Sequence, residues 1–148
     1  MARESPAQEI SMRVSGGCLC GAVRYEIEAE PIAARVCWCR TCLALGAGGG
    51  TINVCFPRDA LRVQGEPRDY VSVANSGNMM HRRFCSNCGV HFFSDAEVRP
   101  HLKFVRAGSL DDPELARPSA TIWVSEAPSW ACIDARLPTI DGQPPPVG

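Results

Sequence analysis

Three cysteines within six residues, Cys37-Trp38-Cys39-Arg40-Thr41-Cys42, constrain this chain more than any other stretch. Neighbouring side chains on a regular backbone diverge, so three thiols this close cannot all pack into one core. Cys18 and Cys20 stand upstream and Cys85 and Cys88 downstream, which puts seven of the nine cysteines at chelating spacings. Zinc binds thiolates in tetrahedral geometry, and closed structural sites use four protein ligands. Cys18 and Cys20, two apart, face one side of an extended backbone. Cys85 and Cys88 form a knuckle followed by Gly89. Two and two predict a structural zinc site that clips the N-terminal strand to the middle of the chain.

Cys37, Cys39 and Cys42 are then left over. Three protein ligands with a fourth position open is the arrangement zinc uses for chemistry. A second closed site, completed by Cys55, His81, His91 or Cys132, is the competing reading, and spacing alone leaves both open. A metal-free redox pair leaves the partner cysteines unexplained. Cys55 and Cys132 lie among apolar neighbours and read as small buried residues. His81, His91 and His101 read as surface or hydrogen-bonding histidines, and Arg82-Arg83 as a solvated face that an anionic substrate could use.

Redox compartment decides between metal ligands and disulfides for nine cysteines. The start, MARESPAQEI, carries Glu4 and Glu9 where a signal peptide needs an apolar run. The reading is therefore cytoplasmic, with thiols held as metal ligands. Fifteen Lys and Arg balance sixteen Asp and Glu, a net charge of −1. That balance gives no reason to expect bulk nucleic-acid binding. No apolar run reaches the roughly 18 residues of a membrane helix, so no membrane partner is expected.

Residues 1–12 mix charge, Ser and Pro and predict a flexible terminus, and residues 141–148 a Pro-rich flexible tail. Between them, 13–140 read as a single zinc-binding domain. Val23, Tyr25 and Ile27 alternate with Arg24, Glu26 and Glu28, a half-buried strand. Thr51–Phe56, Tyr70–Val73, Met80–Phe84, Val90–Phe93, Leu102–Arg106 and Thr121–Val124 are further strands. Leu43-Ala44-Leu45 can make one helical turn before the glycine run 46–50, which reads as a mobile loop. Met79-Met80, Phe92, Phe93, Phe104 and Trp123 are expected in the core. The fold class is mainly β with little helix.

Gly17-Cys18-Leu19-Cys20-Gly21-Ala22-Val23-Arg24-Tyr25, then CWCRTC, then Phe84-Cys85-Ser86-Asn87-Cys88-Gly89, then Gly108-Ser109-Leu110-Asp111-Asp112-Pro113 resemble the glutathione-dependent formaldehyde-activating enzyme family, which includes centromere protein V. The likeness spans roughly residues 14–138. It implies the β-tent fold, small stacked antiparallel sheets around zinc. It further implies a structural zinc on Cys18, Cys20, Cys85 and Cys88, and a catalytic zinc on Cys37, Cys39 and Cys42. Two zincs per chain are thus expected. The implied activity is that of a carbon–sulfur lyase that joins glutathione and formaldehyde as S-hydroxymethylglutathione. Its partners would be a small thiol and an aldehyde.

Trp38 stands where family members often carry His, and Leu43 where a basic residue is common. Glutathione carries two carboxylates, for which Arg35, Arg40 and Lys103 are the candidate cations. Exposed β edges together with the resemblance allow a homodimer. The alternative function is a non-enzymatic zinc module, or a glutathione carrier that binds without turnover.

Overall fold

Period-two alternation, repeated along short segments, builds two sheets. The computed structural model describes residues 12–147, so the expected flexible N-terminus lies outside the described residues except for Met12. Helix makes up 14% and strand 39%, so the protein is mainly β, as expected.

The smaller sheet is antiparallel: β1 (Val14–Gly17), β2 (Arg24–Ile27) and β5 (Leu61–Gln64). β2 buries Tyr25 and Ile27 and exposes Arg24 and Glu26, the split its alternation predicts. The larger sheet has eight strands. In spatial order they are β11 (Thr139–Ile140), β10 (Ala120–Ile122), β3 (Ala33–Cys37), β4 (Thr51–Pro57), β9 (Leu102–Arg106), β8 (His91–Ala96), β7 (Met79–Phe84) and β6 (Arg68–Val73). Its pairings are antiparallel except those of β10, which runs parallel to β3 and β11. One short α-helix, α1 (Arg40–Leu45), follows β3, and the rest of the described helical residues form 3-10 turns at 58–60, 107–109, 113–116 and 124–126.

One face of the large sheet packs on the small one. Val54, Val105 and Phe93 lie side by side in register across β4, β9 and β8, and join Val14, Tyr25 and Ile27 in the core. A β-bulge adds a residue to β8: Arg83 pairs with Phe93 and Phe84 with His91, leaving Phe92 unmatched. The bulge re-aims one side chain, so the consecutive residues Phe92 and Phe93 both reach Tyr25, at ring separations of 6.4 and 5.2 Å.

Lys103 belongs to this inner side as well. Its ammonium lies 3.1 Å from Asp95 and 5.7 Å from the Phe93 ring centre, and Arg83 shares the same carboxylate oxygen at 3.1 Å. It therefore cannot serve a ligand on the outer face.

The glycine run is not a bare loop. Gly46, Gly48 and Gly49 donate to Cys42, Leu43 and Gly46 carbonyls, continuing α1 as a series of turns. Gly50 lies against the Trp38 ring, where an added Cβ would come within 2.9 Å.

His81 on β7 is held between two carboxylates, its Nδ1 2.6 Å from Asp69 and its Nε2 2.7 Å from Glu97. The bonds to Asp69 and then Glu97 raise its pKa above the ordinary 6.5. A raised folded-state value gives stabilisation that is complete below pH 6.5 and is lost as pH climbs through the folded pKa. The melting temperature should therefore exceed that of His81→Gln most at about pH 5 to 6, below the ordinary histidine value, and by less and less as pH climbs through the raised one. A gap that stays constant over that range in melts read at each pH would contradict this.

Candidate functional site

The two cysteine groups expected from spacing are both brought together. The Sγ atoms of Cys18, Cys20, Cys85 and Cys88 all lie within 4.8 Å of one another, and so do those of Cys37, Cys39 and Cys42. The first group joins the β1–β2 loop to the β7–β8 loop. Cys18–Cys20 and Cys20–Cys85 are each 3.6 Å apart. Four thiolates around zinc at about 2.3 Å would stand roughly 3.8 Å apart at the edges of a tetrahedron, so the donor set fits that ion.

Each knuckle is turned by a glycine with positive φ after its second cysteine: Gly21 at 81° and Gly89 at 82°. That left-handed conformation suits glycine. It lets the Val23 N–H point at Cys18 Sγ, and the Asn87 and Cys88 N–H groups at Cys85 Sγ, each at 3.4 Å. Burial opposes ionisation of Cys18, but the Val23 amide and the thiols of Cys20, Cys85 and Cys88 bring it down to about 6. A lowered thiol pKa favours the thiolate, the form in which cysteine binds metal.

Cys37, Cys39 and Cys42 are buried on the other face of the large sheet. Cys37 ends β3, and Cys39 caps α1, accepting from the Cys42 N–H at 3.3 Å. Hydrogen bonds from the Cys37 and Cys39 thiols, with Arg106 and the Thr51 hydroxyl behind them, hold Cys42 far below its ordinary value. Cys37, donating to Cys39 and Cys42, is pushed up. Among the described residues no fourth Cys, His, Asp or Glu joins this group. Cys55 is buried in β4, with its thiol raised to about 11 by burial, and Cys132 is exposed.

The sulfurs form one wall of a cleft with about 810 Å³ of space, counting open solvent at its mouth. Its floor is the outer face of the large sheet. Arg35, Asn53 and Arg106 are paired across β3, β4 and β9, and Phe104, Ser94 and Arg82 across β9, β8 and β7. These residues alternate with the core residues Val54, Val105 and Phe93, so the same strands serve both the core and the cleft.

Four guanidiniums, Arg35, Arg82, Arg99 and Arg106, line the cleft, and no acidic residue does. Among the described residues none of the four has a carboxylate within salt-bridge distance. Arg82 and Arg106 are only 5% and 7% exposed, so water does little to solvate them. Arg82 donates to Ser72 at 2.9 Å; Arg106 donates to Thr51 at 3.2 Å and to Asn53, while its Nε has no partner. Burial lowers the pKa of Arg82, with Arg106 adding to the effect. Positive charge left this bare suits an anionic ligand, beside the thiolates that already offset part of it.

The sequence-expected cations divide accordingly. Arg35 reaches the cleft, whereas Lys103 faces the other side. The exposed Arg40 does not line the cleft, and it is its backbone N–H that bonds, to Glu126 at 2.8 Å. Arg82 is buried in the site rather than on a solvated face. Phe104, Met80 and Trp123, expected in the core, line the cleft instead.

Trp123 is the one large aromatic held with positive φ, at 59°. That conformation costs an L-residue roughly 1–2 kcal/mol, and such strain gathers at functional sites. It packs against the group formed by Cys37, Cys39, Cys42 and Ile122, and its Nε1–H donates to Gln143 at 3.1 Å.

Among the described residues no helix is long and apolar enough to cross a membrane. A Halomonas elongata protein named "Putative glutathione-dependent formaldehyde-activating enzyme" is 29% identical over 132 residues, covering 84% of this chain and 83% of that one. The crystal structure of a Rhodobacter sphaeroides protein superposes with a TM-score of 0.52 at 25% identity, covering 66% of this chain and 87% of the other. The family described as glutathione-dependent formaldehyde-activating enzyme matches residues 13–126, a stretch that holds both cysteine groups and the four cleft arginines. With that match over most of its length, the chain belongs to the glutathione-dependent formaldehyde-activating enzyme family.

Proposed function

We propose that this chain is a zinc-dependent carbon–sulfur lyase of the aldehyde-activating type, joining a small anionic thiol to an aldehyde and reversing that step. The observation that carries the reading is three clustered sulfurs opening onto a cleft lined by four guanidiniums without acidic partners. Cys18, Cys20, Cys85 and Cys88 would hold a structural zinc, and Cys37, Cys39 and Cys42 a catalytic one. Zinc held by three thiolates keeps a fourth position for an added ligand and favours an ionised sulfur there.

The chain's own groups do the rest. Arg35 and Arg99, the less buried cations, would take the carboxylates of glutathione. Arg82 and Arg106 supply fixed positive charge where a sulfur becomes thiolate and where the aldehyde oxygen gains negative charge. Trp123 and Phe104 keep water from that end. In the forward direction a carbon–sulfur bond forms, the carbonyl π pair moves to oxygen, and the proton given up by the thiol ends on that oxygen. The reverse breaks the same bond and returns the proton to sulfur. Holding both reactants in one cleft makes the addition effectively unimolecular.

The test is formaldehyde consumption as a function of glutathione concentration, for wild type and for Arg35→Ala and Arg99→Ala. Charge-assisted bonds at partly exposed sites predict a KM for glutathione raised about five- to tenfold in each variant, with kcat nearly kept. A wild type that consumes formaldehyde no faster with glutathione than the uncatalysed mixture would overturn the reading. Variants with unchanged KM would place the carboxylates elsewhere.

A further inference from the structure

The family match ends at residue 126, yet the cleft does not. β11 (Thr139–Ile140) runs parallel to β10, pairing Thr139 with Thr121 and Ile140 with Ile122. The chain then carries Asp141, whose carbonyl accepts from both the N–H and the hydroxyl of Ser125, at 3.3 and 2.6 Å. Two residues on, Gln143 reaches the cleft and accepts from the Trp123 indole. β10 itself pairs with β3, Ile122 opposite Cys37, so Trp123 begins one residue beyond the metal-side strand end. Ile140 and Trp123 both pack on the group formed by Cys37, Cys39, Cys42 and Ile122.

We infer that the C-terminal segment Thr139–Gln143 completes the substrate site, Gln143 pinning the Trp123 indole as the wall that limits how bulky a group can sit beside the three sulfurs. This rests on the reading of that site as one that binds an added thiol. Three features converge on it. Trp123 lines the same cleft as the sulfurs, its backbone is held in the left-handed conformation, and its only hydrogen-bonding side-chain atom is tied to a residue of the tail. Trp123 and Gln143 are specificity-determining residues in this account, since neither supplies charge or a proton to the reaction.

The wall makes a prediction that a merely structural role does not. Mercaptopropionate and its dimethyl-branched analogue carry the same charge and differ in bulk at the carbon bearing sulfur. Their equilibrium affinities would be measured by titration calorimetry on the zinc-loaded full chain, with retained zinc counted afterwards. Trp123→Gly suits the left-handed backbone and removes the wall. It should raise the affinity ratio of branched to unbranched thiol at least about tenfold, the scale on which pockets discriminate a methylene. Gln143→Ala removes only the pin and should raise the ratio about threefold, as expected for one hydrogen bond. A structural effect would weaken both thiols together and leave the ratio fixed. An unchanged ratio in both variants, with good binding to wild type, would overturn this inference alone. A wild type that keeps its zinc and binds neither thiol would overturn it together with the thiol-binding reading.

Discussion

Replacing Cys85 with Ser is expected to leave no stably folded chain. Cys85 is 2% exposed, accepts two backbone N–H groups, and lies 3.6 Å from Cys20, a residue 65 positions away in sequence. Its site ties the β1–β2 loop of one sheet to the β7–β8 loop of the other, closing a long loop that the unfolded chain must otherwise pay in entropy. Metal binding at a structural cysteine site contributes on the order of 10 kcal/mol, while a whole domain is stable by about 5–15 kcal/mol. A hydroxyl is a poorer zinc ligand than a thiolate and would sit at the wrong distance for the two amides. Far-ultraviolet circular dichroism during heating should show no cooperative melt for Cys85→Ser, and chelation of wild type should give the same curve. A variant that melts within a few degrees of wild type would contradict this role.

The companion change, Cys42→Ser, should do the opposite: keep the fold and remove the chemistry. Cys42 lies on the outer face of the large sheet, outside the cluster that packs between the sheets. Ile122 is the buried apolar neighbour in its group, with Trp123 and Ile140 partly buried beside it. The Cys42 sulfur is nevertheless the one most favoured toward ionisation, by hydrogen bonds from the Cys37 and Cys39 thiols with Arg106 and Thr51 behind them. Its loss removes a charged ligand, and with it electrostatic stabilisation that a metal supplies at several kcal/mol. Four kcal/mol is about a thousandfold in rate. Thiol-dependent aldehyde consumption should therefore fall by about 10³ or more, with a melting temperature within about 5 °C of wild type. Activity retained within tenfold would show that the chemistry lies elsewhere in the cleft.

How much of this was legible in the sequence depends on what each residue's role leaves as a trace. The division of seven cysteines into four and three followed from spacing alone, because metal geometry demands short chelating intervals, and the structure groups the same residues. β2, β4 and β9 were readable from alternation and composition. β3, Ala33-Ala34-Arg35-Val36-Cys37, escaped because one side carries Ala33, Arg35 and Cys37 and the other only Ala34 and Val36, which leaves no apolar period to read. β1, β5 and β11 are too short to show a period. The register of pairing between distant strands has no local trace at all.

The larger miss has a single physical cause. Both faces of the central strands carry large apolar side chains, one packed on the small sheet and one flooring the cleft, so Phe93 and Phe104 look alike in sequence. Which face becomes core depends on where the other sheet docks. For the same reason Lys103 and Arg82 could not be assigned: they project from opposite faces, Lys103 toward Asp95 and Arg82 into the cleft. The Phe92 bulge shifts that assignment within a single strand. Gln143 carries no signal of its own, since its role arises only once β11 has brought the tail beside β10.

The proposed function requires two separate zincs, one closed by Cys18, Cys20, Cys85 and Cys88 and one held by Cys37, Cys39 and Cys42 beside the cleft. Zinc per chain, counted in protein purified without chelator beside the Cys37→Ser/Cys39→Ser double variant, tests it most directly. Two zincs should fall to one with an unchanged circular dichroism spectrum. The same count in both proteins would contradict it, leaving Cys37, Cys39 and Cys42 as a thiol cluster and not a metal centre.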